Sequence, residues 1–500
     1  MILKFFNRRK LDIFYLFAFS LFLLAIISKF VLNVFFLQLP CSVNYILSVS
    51  FLYRAAILFS LFYILYVASY ALRMLLCLKY VTTGFFCFFA LTFIGNLILG
   101  ILGLSSAFNE FILLYVFLFV LIAVYILYQK NLPKKFLAVS FIIVSFLILT
   151  LLPPKAFWSN PLFLTDEIAL WRPIARNYFH GGLAYSMLHI PSFAQGYGQF
   201  IPHIFVTLKR LALFNSGSAP SYGFMPNVLF FVGLFFLLEI KIRRSAKVLL
   251  AVFFIFYVFV QRWVAILLCD SLMTDGVSGL MLAIVLREAL EKNIVLGGTL
   301  INRMRYFVGF WVSAGALGLT KPFVSFICYI MPFSFIKEVR SRINIARVLL
   351  KVLLAAVLMA VCFILWVIIS RQLNLSRLLA YKPQALSYFH PMVFLDMLRF
   401  WIVDKYFIPV FVFLGLGLFL GANRFNRFDI LACLFFIATN FLFITSIYIF
   451  YGQGWEIESS YRFLVQMFYV SFYALGLSLH AVIFDVFSDR ADNFVCNKSI

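Results

Sequence analysis

Charged residues are scarce in this sequence. Asp, Glu, Lys and Arg together make up 12% of the 500 residues, whereas hydrophobic residues make up 65%. A soluble domain of this length needs far more polar surface than that. The shortage of charge therefore excludes a soluble protein and predicts a chain embedded in a membrane.

Cysteine and histidine are also few, with eight and five residues. The cysteines form no CxxC pair and show no metal-ligand spacing. Because Cys41 is expected outside the membrane and Cys496 inside, a disulfide framework is not expected. Most of the cysteines fall in apolar runs, where we expect small core residues: Cys77, Cys87, Cys328, Cys362 and Cys433.

Acidic residues are outnumbered, with 18 Asp plus Glu against 41 Lys plus Arg and a net charge of +23. The basic residues lie in short clusters between apolar runs, which is typical of cytoplasmic loops under the positive-inside rule. No basic stripe interleaves with aromatic residues, so nucleic-acid binding is not favoured. The first basic cluster, at residues 4–10, precedes a long apolar run without a cleavage site. We interpret that run as a retained span rather than a signal peptide.

Long apolar runs recur along the whole chain. A membrane core is crossed by about 20 helical residues, and this length rule predicts about 13–15 spans and an all-α polytopic fold. The clearest predicted spans are 12–37, 45–70, 81–104, 110–128, 136–152, 348–369, 408–421, 429–450 and 463–484.

Holding the basic clusters in the cytoplasm divides the chain into four regions with both termini inside. Residues 1–152 form an N-terminal region of five spans, and residues 485–500 form a cytoplasmic tail. Residues 153–221 form an outer loop with short interfacial helices, within which the apolar segment 200–214 is re-entrant or interfacial. Residues 222–484 form a second membrane region, with outer loops near 270–275, 320–322, 371–407 and 451–461.

The outer loop carries an acidic motif, Asp166-Glu167, followed by Trp171, Arg172 and Arg176. A carboxylate just beyond a helix end is partly desolvated, so it can act as a general base near neutral pH. Arginines one turn further along can bind a phosphate bidentately. The alternative interpretation is an interfacial anchor, with the tryptophan in the aromatic belt and the charges solvated.

Four further segments follow the acidic motif along the chain: Pro191–Gly196, Asp270–Gly276, Leu319–Pro322 and Ser459–Phe463. With the Asp-Glu-x-x-x-Trp motif, this ordered set resembles the GT-C superfamily of integral-membrane glycosyltransferases over about residues 150–470. The resemblance is closest to bacterial polytopic members. Each motif is short, and the evidence is their order along the chain.

The resemblance implies a GT-C-like fold and an inverting transfer of a sugar from a polyprenyl-phosphate carrier. The acceptor would be a cell-envelope glycan or glycolipid, and no metal or other cofactor is expected. The site would face the periplasm from the bacterial cytoplasmic membrane, in contact with membrane lipid. Asp166 and Glu167 would be catalytic. The residues implied to bind substrate or phosphate are Arg172, Arg176, Lys321, Arg462, Asp270 and Asp275.

Bland alternatives exist for several of these residues. Lys321 and Arg462 can be helix-end residues that extend to the interface, and Asp275 can be a helix N-cap. The histidines His180, His189, His203 and His390 lack metal-ligand spacing, and we expect ordinary loop residues.

Two other functions compete with glycosyl transfer. An O-antigen-type polymerase or ligase would depend on Arg172, Arg176 and either His180 or His189. A transporter of polysaccharide or lipid is less favoured, because transporters place ionisable residues near the bilayer midplane and this sequence shows few there.

Overall fold

The computed structural model describes residues 61, 65–104, 170–190, 198–216, 225–260, 274–291, 299–336, 345–375, 392, 394–396, 399, 424–451 and 465–481. Over these residues the protein is 89% helical and has no strand. The all-α class predicted from the sequence is therefore confirmed for the described part of the chain. The predicted spans before residue 61 and from 110 to 152 lie outside it.

The described helices are α1 Leu65–Leu75, α2 Val81–Ile101, α3 Arg172–Leu188, α4 Phe200–Ser216, α5 Met225–Glu239, α6 Arg244–Val260, α7 Thr274–Leu290, α8 Leu300–Leu317, α9 Pro322–Ile330, α10 Ile345–Gln372, α11 Arg424–Tyr451 and α12 Phe468–Ala481, with a 3₁₀ turn at Met331–Phe335.

Three of these helices are long and apolar enough to cross a membrane. They are α2, α10 and the segment Arg427–Ser446 of α11. They coincide with the predicted spans at 81–104, 348–369 and 429–450. The segment 200–214, predicted to be re-entrant or interfacial, forms the single helix α4.

Helix α7 lies at the centre of the described bundle, and all 17 of its residues are buried. It packs against α2, α4, α5, α8 and the 3₁₀ turn. Helix α2 in turn packs against α3, α4, α8 and α10. Because α7 begins with Thr274-Asp275 and ends with charged residues, its burial places ionisable groups at both ends of the protein interior.

At the carboxyl end of α7, the fully buried guanidinium of Arg287 is paired and hydrogen-bonded. It donates to Glu239 Oε2 and to the Phe236 carbonyl, both at 3.0 Å, and lies 3.8 Å from the Tyr80 ring centroid. Glu239 also accepts the Val81 N–H at 2.8 Å, so a carboxylate from α5 caps the N-terminus of α2. The sequence predicts a cytoplasmic basic stretch from Arg287 onwards, but Arg287 itself belongs to the core.

Two further glutamates join α7 to its neighbours. Glu288 accepts the Lys79 N–H and the Thr83 hydroxyl, each at 2.7 Å. Glu291 pairs with the Lys79 ammonium at 3.2 Å and accepts the Tyr473 hydroxyl at 2.9 Å. This ionic cluster links α2, α7 and α12.

The cysteine expectations are mostly confirmed. Cys87, Cys328, Cys362 and Cys433 are buried. The prediction is wrong for Cys77, which is exposed and has a φ of 54°. Helix α1 ends at Leu75, so Cys77 falls in the turn before α2 rather than in the packed run.

We expect Arg287→Met to lower the free energy of unfolding by about 3–5 kcal/mol, because Glu239 would stay largely buried without its cation. Denaturant unfolding of the purified protein in detergent measures this loss. Arg305→Met, on the exposed face of α8, is the matched control and should change the stability by less than about 0.5 kcal/mol. Equal stability of the two variants would contradict the buried pairing of Arg287 with Glu239.

Candidate functional site

Two of the segments singled out in the sequence meet in a buried ion pair. The Lys321 ammonium lies 2.8 Å from Asp275 Oδ1, and the side chains are 6% and 0% exposed. Lys321 precedes Pro322, which favours the extended backbone found at this lysine and starts α9 directly after it. The lysine therefore points its charge at the first turn of α7 instead of extending to the interface.

A third segment completes the carboxylate's environment. Gln466 Nε2 donates to the same Asp275 oxygen at 2.6 Å, and the Gln466 side chain is buried. The side chain of Asp275 is thus held by an ammonium and an amide, which excludes the simple N-cap interpretation. Gln466 was missed in the sequence, where its only signal is its place four residues after Arg462 in the late motif.

The acidic motif reaches the same place through its tryptophan. Trp171 is buried, and the Lys321 ammonium lies 5.5 Å from its ring centroid, within the range of a cation–π contact. Trp171, Asp275 and Lys321 come from three motifs that are far apart in the sequence. In the fold, these residues share one environment. We call Trp171, Asp275, Lys321 and Gln466 the central cluster.

Two glycines allow the backbones around the central cluster to approach closely. A Cβ at Gly279 would collide with the carbonyl of Gln466, and a Cβ at Gly198 would collide with the carbonyl of Leu319. Beside Gly198, the Phe200 N–H donates to that Leu319 carbonyl at 3.1 Å. The start of α4 and the chain before α12 are thereby fixed against the segments that carry Lys321 and Asp275.

Two cations lie against Phe179, on the helix that follows Trp171, and a third, Arg172, lies near enough to repel Lys209. The Arg210 guanidinium lies 3.7 Å from the Phe179 ring centroid and donates to its carbonyl, and the Lys209 ammonium lies 5.0 Å from the ring. Burial, followed by repulsion from Arg172 and Arg210, lowers the pKa of Lys209 to about 8. We call Arg172, Lys209 and Arg210 the cation group.

The cation group has the chemistry of an anion site. Two guanidinium groups and an ammonium provide charge-assisted donors suited to phosphate. Repulsion among the three cations is relieved when a phosphate oxygen lies between them. The sequence predicts Arg172 for this role and assigns none to Lys209 or Arg210, which lie in the segment predicted to be re-entrant or interfacial.

His203 anchors α4, the helix that carries Lys209 and Arg210. Its Nδ1 lies 2.8 Å from the Tyr178 hydroxyl and its Nε2 lies 2.9 Å from Thr92 Oγ1, while Asn96 donates to Tyr178. All four side chains are buried, and burial lowers the pKa of His203 to about 3. The neutral ring joins α2, α3 and α4.

The expectation that His203 is a loop residue is therefore wrong. The residue lies in α4 and faces the bundle, because the apolar segment around it folds as one continuous helix. The expectation is also wrong for His180, which lies within α3, whereas His189 follows the end of that helix. Both are exposed, and His390 lies outside the described residues.

The other predicted site residues divide into two groups. Arg172 and Arg176 are exposed on α3. Asp166, Glu167, Asp270 and Arg462 lie outside the described residues. Across the described ranges, no group of three or more His, Cys, Asp or Glu side chains could hold a metal ion.

Comparisons with protein-family models, with curated proteins and with solved structures each found no match. Inference about function therefore depends on the chemistry of the central cluster and the cation group.

We expect binding of a phosphate-bearing lipid to weaken as the pH rises through about 8 and above, because Lys209 loses its proton there. Lys209→Arg should keep its affinity up to pH 9.5, since arginine stays charged. Farnesyl phosphate, titrated into the purified protein between pH 7 and 9.5, measures the effect, with Lys351→Arg on α10 as control. An identical pH dependence in the native protein and Lys209→Arg would contradict the assignment.

Proposed function

We propose that this protein is a membrane glycosyltransferase of the GT-C type. It would transfer a sugar from a polyprenyl-phosphate donor to a glycan or glycolipid acceptor on the outer side of the bacterial cytoplasmic membrane. The observation that supports this most is the central cluster. Motifs chosen from their order in the sequence contribute Trp171, Asp275 and Lys321, and these three side chains lie together.

The acidic motif would supply the base. Asp166 lies five residues before Trp171, and five residues of chain reach at most about 18 Å. A base at that position would therefore be joined to the central cluster by only a short stretch of chain. Arg462 lies four residues before Gln466 and would likewise be joined to the central cluster by a short stretch of chain.

The phosphate would be bound by the cation group rather than by Lys321. The Lys321 charge is already offset by Asp275 at 2.8 Å, so the pair presents no net positive charge. The cation group is partly exposed and carries three positive charges when Lys209 is protonated. The roles expected from the resemblance are thus refined: Lys321 and Asp275 would shape the site, and Arg172 with Lys209 and Arg210 would bind the anion.

The reaction would be an inverting substitution at the anomeric carbon. The oxygen of the acceptor hydroxyl forms the new bond to that carbon, and Asp166 accepts the proton of the same hydroxyl. The bond from the anomeric carbon to the phosphate oxygen breaks, and its electron pair leaves with the phosphate. Donors from the cation group stabilise the charge that develops there. Alignment of the acceptor hydroxyl, the anomeric carbon and the carrier phosphate accelerates the reaction further.

One observation favours the competing polymerase or ligase. Arg172, Arg176 and His180 are all exposed and follow one another at intervals of four residues, so they share a face of α3. That function would use this face directly and would not need Asp166 as a base.

We expect Asp166→Asn to reduce transfer from a polyprenyl-phosphate sugar by at least about a hundredfold, since general-base catalysis contributes that much or more. Radiolabelled sugar transfer in membranes that contain the protein is the measurement. Asp489→Asn in the tail is the matched control.

His180→Ala separates the two functions. Under our proposal it leaves transfer nearly unchanged. Full activity of Asp166→Asn together with loss of activity in His180→Ala would refute glycosyl transfer by the acidic motif and support the polymerase or ligase.

A further inference from the structure

Several buried polar atoms near the central cluster have no hydrogen-bond partner among the residues that the structure describes. They are both polar atoms of the Gln199 amide, Oε1 of Gln466 and the Thr274 hydroxyl oxygen. Each of the three side chains is 1% exposed. Buried polar groups in folded proteins are almost always hydrogen-bonded, so these atoms need an explanation.

The three residues belong to the same part of the fold. Gln466 donates through its other amide atom to Asp275, and Thr274 directly precedes Asp275 in α7. Gln199 lies between Gly198 and Phe200, which both contact Leu319, two residues before Lys321. The three residues therefore lie beside the segments that carry the Asp275–Lys321 pair.

The chemistry of these atoms discriminates between ligands. Two amide oxygens accept, one amide nitrogen donates, and one hydroxyl does both. None is charged, and the adjacent ion pair has no net charge. A phosphate would find acceptors and no excess positive charge here, whereas the hydroxyls of a neutral ring match both donors and acceptors. Trp171 adds a flat apolar surface beside the pair.

We propose that Gln199, Thr274 and Gln466 form a hydroxyl-binding site that takes a neutral polyhydroxylated ring. The assignment of that ring as the transferred sugar rests on the proposed function. The binding chemistry itself rests on the buried atoms alone. Under the proposed function, the phosphate of the same donor would lie towards Arg172, which directly follows Trp171 in the chain.

Saturation-transfer NMR on the full-length protein in nanodiscs tests the site directly, with glucose, mannose, galactose and xylose as probes and inorganic phosphate as a separate probe. We expect saturation transfer to at least one sugar. Gln199→Leu and Thr274→Val should each weaken that binding at least tenfold without changing phosphate binding. Gln372→Leu, on the exposed end of α10, is the control.

Thermal unfolding separates this role from a structural one. Gln199→Leu and Thr274→Val remove atoms that make no hydrogen bond within the described residues, so both variants should unfold at the native temperature or above it. Undiminished sugar binding in the two variants, or no sugar binding by the native protein, would overturn the proposal and leave buried water as the partner of these atoms.

The outcomes also separate this inference from the proposed function. Sugar binding that depends on Gln199, without transfer from a polyprenyl-phosphate sugar, would uphold the site and refute the glycosyltransferase. Transfer with the same KM in the native protein and Gln199→Leu would uphold the enzyme and refute the site.

Discussion

An ammonium and a carboxylate that leave water together must lie in contact, because neither charge can be buried alone at an acceptable cost. The contact between Lys321 and Asp275 meets that requirement at 2.8 Å. It joins the turn before α9 to the first turn of α7. Gln466 donates to the Asp275 carboxylate, and Trp171 lies beside the Lys321 ammonium. The convergence of distant motifs follows from this one constraint.

The opposite end of α7 obeys the same rule. The charges there also have partners on neighbouring helices. Arg287 pairs with α5, Glu288 accepts from α2, and Glu291 accepts from α12. Since α7 is buried over its whole length, ion pairs at both ends fix its depth and rotation in the bundle. The position of Asp275 in the candidate site therefore depends on contacts twelve residues further along the same helix.

The length of the apolar runs and the order of the motifs were the features of the sequence that allowed prediction. Runs of apolar residues predicted α2, α10 and α11, and the ordered motifs singled out Asp275 and Lys321. The contacts between polar side chains on different helices were not predictable, because the sequence does not show which helices pack together. Gln466, Lys209 and Arg210 were missed for that reason. His203 was misplaced because the short segment 200–214 was assigned to the outer loop, whereas it packs as a helix in the bundle. Tertiary contacts decided each of these cases.

A double-mutant cycle on the Asp275–Lys321 pair tests the central claim most directly. Asp275→Asn and Lys321→Met should each destabilise the purified protein by about 3–5 kcal/mol, because each leaves its partner's charge buried and uncompensated. The double variant buries no charge at this place, so its loss should be smaller than the sum by at least about 2 kcal/mol. Losses that add within about 0.5 kcal/mol would show that the two side chains do not interact and would contradict the account.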